Sequence, residues 1–317
     1  MIDLDEVVDP AYRHSYEQIS QIEKLCQKGL NDKSLNIRSG LELLPELAQH
    51  GSAVFTDLAD YLGQTTNDER LNNFLSHHAL VYQHVACLLR PTRSIFKNDA
   101  RVKLYDQSAP VYYKGPKNNN PFLVFFTTSY NNFYISNLAL AESLAQEGFS
   151  FLIVKDPSGM QYTQGIANIS SSWEDSINWL RKFIRQNAEK RSIVFSGFSS
   201  SGFYAILAAL ACNSDYTVSF SPKSTMKEDK GTVPSKVMTR KMYDSIPSFL
   251  KCDLVEQVSL YSTPVSIFVG QDSSIDLRHA DRLNEVPSVT VEKIANTGHI
   301  SLLPLFIEGN FTKVFFQ

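Results

Sequence analysis

Hydrophobic positions follow two rhythms along this chain, and the change between them falls near residue 98. Before it, apolar residues recur at helical spacing. Ile19, Ile22, Leu25 and Cys26 fall on one face of a helix expected to start near Pro10. Leu41, Leu43, Leu44 and Leu47, then Val54, Leu58, Tyr61 and Leu62, predict one or two more helices. Leu71, Phe74, Leu75, Leu80, Val81, Val85 and Leu88 predict a longer helix that Pro91 ends, since proline has no N–H to continue the ladder. No fixed period runs through this region, so a helical-repeat array is excluded.

From about residue 100 the pattern becomes short apolar runs alternating with helical segments. Val102–Tyr105 and Val111–Tyr113 are expected to form a hairpin, and Phe122–Thr127 a central strand. A helix is expected over Ser136–Glu147 and a strand over Phe149–Val154. Ser172-Trp173-Glu174-Asp175 resembles a capping box that opens a helix with Trp173, Ile177, Leu180 and Ile184 on one face. Further strands are expected at Ser192–Ser196, Tyr216–Phe220, Thr263–Val269 and Ser288–Ile294. Such alternation predicts an α/β fold, a mostly parallel sheet flanked by helices. The expected division is a helical N-terminal region over 1–98 and an α/β domain over 99–317.

One turn in the second region carries chemistry. Gly197-Phe198-Ser199-Ser200-Ser201-Gly202 joins a buried strand to the apolar helix that begins at Phe203. A sharp strand-to-helix turn requires small residues two positions to either side of its central residue. Ser199 in the centre puts Gly197 at minus two and Ser201 at plus two. Ser200 in the centre would put the Phe198 ring where the turn has no room, so Ser199 is the better register. The N–H that follows lies at a helix N-terminus, where it can stabilise developing negative charge.

Downstream, Asp272 ends the apolar run that starts at Thr263, and His299 follows the run that starts at Ser288. A serine in such a turn, then an acid, then a histidine resembles the α/β-hydrolase superfamily, which has this chain order. The resemblance covers roughly residues 100–317. It implies Ser199 as nucleophile, His299 as general base and Asp272 as the acid that orients it. A serine hydroxyl is a weak nucleophile until an imidazole takes its proton, and the carboxylate sets the imidazole's tautomer. Asp276 is the competing acid, further from the expected strand end. His279 comes too soon after Asp272 for a strand to intervene. The oxyanion hole is expected from the backbone N–H of Ser200 and that of Thr128 or Ser129, although the loop Thr127–Asn132 lacks a lipase HGGG signature. Ser201, Ser129 and Tyr130 are the expected substrate contacts.

The resemblance implies a serine hydrolase that cleaves a polar carboxylic ester, small or glycan-linked, through an acyl-enzyme. With a sugar acceptor the same triad would make an O-acyltransferase. A binding protein on a hydrolase scaffold is the reading from another class. Ser219-Phe220-Ser221-Pro222-Lys223 is similar to bacterial hydrolase-fold proteins of surface polysaccharide, including capsule O-acetyltransferases. After Pro222 come Lys223, Lys227, Glu228, Asp229, Lys230, Lys236, Arg240 and Lys241, a charged rim suited to a polar or anionic substrate rather than a greasy lid.

Composition narrows the remaining choices. A formal charge of −3 gives no polyanion-binding signature, so no nucleic-acid partner is expected. Hydrophobic residues make up 43% of the chain, enough for a core, but no run reaches membrane-span length. Cys26, Cys87, Cys212 and Cys252 lack CxxC spacing and are expected to be free thiols. His77 and His84 share a helix face, but no second cluster completes a coordination set, so neither metal nor cofactor is expected. Met1–Glu6 lacks the basic start and apolar core of a signal peptide, and the expected location is cytoplasmic. The oligomeric state stays open.

Overall fold

A computed structural model describes residues 16–64, 69–90, 94–96, 103–104, 106, 108–128, 131–156, 158–160, 162–166, 168–227 and 240–316. The chain divides into two compact units, one of Met1–Asp106 with Tyr134–Gln146, the other of Gln107–Phe133 with Glu147–Gln317.

The first unit is helical. Its described helices are α1 (Tyr16–Asn31), α2 (Ile37–Gln49), α3 (Val54–Gly63), α4 (Glu69–Leu88) and, from the later segment, α5 (Asn137–Gln146). Asn36 caps α2, its side chain accepting the Arg38 N–H at 2.8 Å. Leu41, Leu44, Leu47, Leu58, Leu62, Val81 and Val85 are buried, as their spacing predicts. Gly40 lets α2 and α3 approach closely, since a Cβ there would lie 3.2 Å from both Leu58 Cδ1 and Leu62 Cδ2. Leu25 and Leu80 depart from expectation and are exposed. The expected helix start near Pro10 and its stop at Pro91 lie outside the described residues. Helix α5 groups with these helices although it lies between two sheet strands in sequence. The buried carboxylate of Glu142 accepts the backbone N–H groups of Ile95 (2.9 Å) and Phe96 (3.1 Å), and Gln146 Nε2 donates to Leu88 O at 3.0 Å.

The second unit is a seven-stranded sheet of β1 (Val111–Tyr113), β2 (Phe122–Phe126), β3 (Ser150–Val154), β4 (Ile193–Phe198), β5 (Tyr216–Phe220), β6 (Val265–Gly270) and β7 (Val289–Ile294). Its order is β1-β3-β2-β4-β5-β6-β7. Only the β1–β3 pair is antiparallel; every other pair is parallel. Its helices are α6 (Trp173–Asn187), α7 (Ser200–Cys212), α8 (Arg240–Ser245), α9 (Leu254–Ser259), α10 (Ser274–Leu283) and α11 (Leu302–Ile307). This is the α/β class, a mostly parallel sheet flanked by helices, that the alternation predicts. Strands β2, β3, β5 and β6 are buried at every position, because helices cover both faces of a parallel sheet. Edge strand β7 mixes buried and exposed positions.

Ser172 caps α6 by accepting the Asp175 N–H, and Trp173, Ile177, Leu180 and Ile184 are buried as one face. The expected 102–105 hairpin is corrected: Lys103 and Leu104 are helical, and β1 pairs instead with β3, Tyr112 opposite Leu152. An isolated two-stranded ribbon is marginal in water, whereas the edge of β3 offers a formed sheet. Val102 and Tyr105 lie outside the described residues.

Candidate active site

Strand β4 runs straight into the turn at Ser199, which has φ 57° and ψ −125°, and α7 starts at the next residue. A non-glycine residue with positive φ costs about 1–3 kcal/mol unless its surroundings enforce it. Here they do. The Ser199 N–H donates to Phe220 O on β5 at 2.8 Å, and Ser199 O accepts the Gly202 N–H at 3.1 Å. A Cβ on Gly197 would lie 2.5 Å from Ser201 O, and one on Gly202 would lie 2.5 Å from Ser219 Oγ. A side chain at Gly197 would meet backbone inside the turn, and one at Gly202 would meet the Ser219 side chain of β5.

Ser201 stands where a glycine is usual, and its hydroxyl has a partner within the turn. It donates to Phe198 O at 2.7 Å and accepts the Phe198 N–H at 3.1 Å. The side chain is buried. The hydroxyl of Ser201, expected at the substrate, closes the elbow on its own backbone.

His299 sits in the loop after β7, held against the neighbouring strand ends. Its carbonyl accepts the Ser221 hydroxyl at 3.0 Å and the Ser301 N–H at 2.9 Å, and Ser301 Oγ donates to Phe268 O at 2.9 Å. Gly270, the last residue of β6, makes room for this loop: a Cβ there would lie 1.9 Å from Gly298 O. The imidazole packs edge-on against Phe198, beside Ser199, with ring centroids 5.2 Å apart.

The carboxylate that meets this imidazole is Asp276. Its Oδ2 lies 2.7 Å from His299 Nδ1. Asp272 is exposed, and it is its backbone N–H that contacts the loop, donating to Thr297 O at 2.9 Å. Asp276, rather than the expected Asp272, is the carboxylate that the structure brings to His299. The chain leaves β6 through a turn at Gln271–Ser273, and the acid comes from the first turn of α10, one helical turn later. A sequence signal for this exists. Ser273 caps α10 and accepts the Asp276 N–H, and Asp276 shares a buried face with Ala280 and Leu283 at i+4 and i+7. A carboxylate on the buried face of a capped helix needs a partner, and His299 supplies it.

The loop after β2 departs from expectation as well. The Thr128 N–H donates to Asn132 O at 2.8 Å and so is not directed at a substrate oxygen. Asn131, at φ 58°, completes this turn, and its side chain accepts the Asp156 N–H at 2.8 Å. Ser129 and Tyr130 lie outside the described residues. Ser200 N–H remains as the expected donor: it opens α7, where the first N–H groups have no intrahelical acceptor.

Burial lowers the pKa of His77, His78, His84 and His279. Burial, reinforced by neighbouring His77, pushes His78 down to about 3. Burial also lowers His279, helped by Lys223, and its Nδ1 accepts the Ser224 N–H at 3.2 Å. Among the described residues no group of three His, Cys, Asp or Glu side chains could hold a metal ion. No helix among them is long and apolar enough to cross a membrane.

No family model matches the chain, and no curated protein matches it. Solved structures similar to it include Est1E from Butyrivibrio proteoclasticus, at 15% identity and TM-score 0.45, covering 65% of this chain and 91% of that one. MenH from S. aureus is similar at 15% identity and TM-score 0.44, with 66% and 99% covered. The capsule O-acetyltransferase of Neisseria meningitidis serogroup A is similar at 14% identity and TM-score 0.44, with 66% and 91% covered. With these scores below 0.5, the chemistry has to be read from the chain's own residues.

Proposed function

We propose that this chain is a serine enzyme that cleaves carboxylic esters through an acyl-enzyme on Ser199. The reading rests on one conjunction: a serine in strained backbone at a strand-to-helix elbow, and an imidazole that packs on the preceding residue, Phe198, and meets a buried carboxylate. In the first step His299 Nε2 takes the Ser199 proton while Oγ bonds to the carbonyl carbon. The carbonyl electron pair moves to oxygen, where the Ser200 N–H and the positive end of α7 stabilise it. Collapse breaks the bond to the leaving oxygen, which receives the proton from His299. Water then attacks with His299 as base, releasing the acid and restoring Ser199. Asp276 holds the Nδ1–H throughout and stabilises the imidazolium as it forms.

The substrate class is a polar ester, small or glycan-linked. A serine-reactive fluorophosphonate tests the nucleophile. Labelling is expected in the wild type and in Ser200→Ala but not in Ser199→Ala, and a folded wild type that resists labelling sinks the reading. Acetyl release from an activated ester, measured with and without sugars, then shows whether water or a sugar hydroxyl takes the acyl group.

A further inference from the structure

The four residues after β5, Ser221-Pro222-Lys223-Ser224, touch each segment on which the proposed reaction depends. The Ser221 hydroxyl donates to His299 O at 3.0 Å, and the Lys223 backbone N–H donates to Ser199 O at 3.4 Å. Ser224 is fully buried and reaches the helix of the acid. Its N–H donates to His279 Nδ1 at 3.2 Å, and its Oγ lies 2.9 Å from the same nitrogen. His279 is on α10, three residues after Asp276, and so on the same side of that helix.

Several further bonds fix this junction. A backbone N–H only donates, so Nδ1 is the acceptor and the hydrogen of the neutral imidazole is on Nε2. Arg282, three residues further along α10, donates to Ser224 Oγ at 2.8 Å and pairs with Asp253. Asp253 caps α9, its Oδ1 accepting the Val255 N–H at 3.0 Å. The Ser224 carbonyl accepts the Leu254 N–H at 2.8 Å. Every polar group of Ser224 is therefore engaged, and α10 is tied to this segment through both His279 and Arg282. Asp276 meets His299 through Oδ2 at 2.7 Å, a geometry that a small rotation of α10 would break.

We infer that His279 is a positioning residue for the acid. By accepting the Ser224 N–H it fixes the rotation of α10 at which the Asp276 carboxylate reaches His299 Nδ1. Its role is exerted through Asp276, not on the reacting atoms. This rests on the reading of Ser199, His299 and Asp276 and deepens it, since it names what holds the acid in place. Misplacing a catalytic group by about 1 Å costs roughly 10²-fold in rate.

A p-nitrophenyl phosphonate ester reads the first step directly. Ser199 Oγ bonds to phosphorus, p-nitrophenolate leaves with its electron pair, and His299 takes the hydroxyl proton. Two polar replacements separate the hydrogen bond from bulk: asparagine sets its amide oxygen where Nδ1 stands, whereas glutamine reaches toward the Nε2 position. His279→Gln is expected to lower the maximal phosphonylation rate roughly 10–100-fold with the half-saturating concentration within about threefold of wild type, and His279→Asn to restore the rate to within about fivefold. The Asp276→Asn background supplies the reading that a purely structural role would not move. There His279→Gln should cost less than about twofold more, because the acid through which it acts is gone. Circular dichroism checks each fold. If His279→Gln does not fold, Arg282→Met loosens the same tie, and the same loss, absent in the Asp276→Asn background, is expected.

A loss that adds in full to that of Asp276→Asn, a loss confined to the half-saturating concentration, or no loss at all would overturn the inference. So would a His279→Asn variant that loses as much as His279→Gln or does not fold. Each of these leaves Ser199, His299 and Asp276 in their roles. Failure of the folded wild type to react would overturn the Ser199 reading, and wild-type rates in Asp276→Asn would overturn the choice of acid, in either case taking this inference with them.

Discussion

Among the described residues each unit contains a histidine–carboxylate pair, and the two pairs differ in their access to solvent. In the helical unit His50 Nε2 lies 3.3 Å from Glu46 Oε2, one helical turn apart, with side chains 6% and 5% exposed. In the sheet unit His299 and Asp276 meet at 2.7 Å from positions 23 residues apart, with side chains 37% and 8% exposed. The first pair is local and sealed, so it can hold the end of a helix but cannot receive a substrate. The second is brought together by three strand ends, with the carboxylate sealed and the imidazole open. Residue type and distance therefore do not distinguish a site from a strut. Access to the imidazole, and what lies beyond it, do.

The sharpest way to test that contrast is to remove what lies beyond the imidazole. Ser199→Ala is expected to lower kcat/KM on an activated ester by roughly 10⁴–10⁶-fold, the scale of losing a triad serine. Circular dichroism should show unchanged folding. Next come the carboxylates. Asp276→Asn is expected to cost roughly 10³–10⁴-fold in kcat. Asp272→Asn should change it less than about threefold, and equal losses in both would restore Asp272 as the acid. Glu46→Gln should leave the rate unchanged and instead lower unfolding stability by about 1–3 kcal/mol in a urea titration.

Acid should affect the helical unit through another histidine. The folded-state value for His78 is about 3, below the roughly 6.5 of an unfolded chain, so the unfolded chain binds the extra proton. The stabilisation is complete above about pH 6.5 and is lost as pH falls toward 3, by about 1.4 kcal/mol per pH unit. His78→Leu should flatten that slope in denaturation curves taken between pH 4 and 7. A slope unchanged by the substitution would show that other groups carry it. The smallest effect belongs to Ser201→Ala, which leaves the Phe198 peptide without its hydroxyl partner. About 1 kcal/mol of stability should be lost, with labelling at Ser199 within a few-fold of wild type.

Much of this molecule is legible in its sequence. The apolar runs at 122–126, 150–154, 216–220 and 265–270 are strands because only burial on both faces suits so continuous a pattern. The Phe198 ring at minus two rules out Ser200 as the elbow residue on steric grounds alone, and Ser199 does take the strained conformation. His299 is legible as a loop histidine past a strand. Other features are not. Lys103 and Leu104 sit in a run with strand-like spacing, yet they are helical, and β1 pairs with β3 instead. Helix α5 reads as an ordinary crossover between β2 and β3, and its grouping with the N-terminal helices depends on contacts such as that of Glu142 with the backbone at 95–96.

By itself the sequence determined the strand order in the chain, the elbow serine and the histidine, since each depends on local sterics or on burial periodicity. Tertiary structure decided which carboxylate meets that histidine and which hydroxyl closes the elbow. The reason is geometric. Asp272 and Asp276 are equally acidic and four residues apart, and only the path of the chain from β6 into α10 sets which one His299 meets. Ser201 likewise takes its role from the path of the turn, which brings the Phe198 peptide within reach of its hydroxyl.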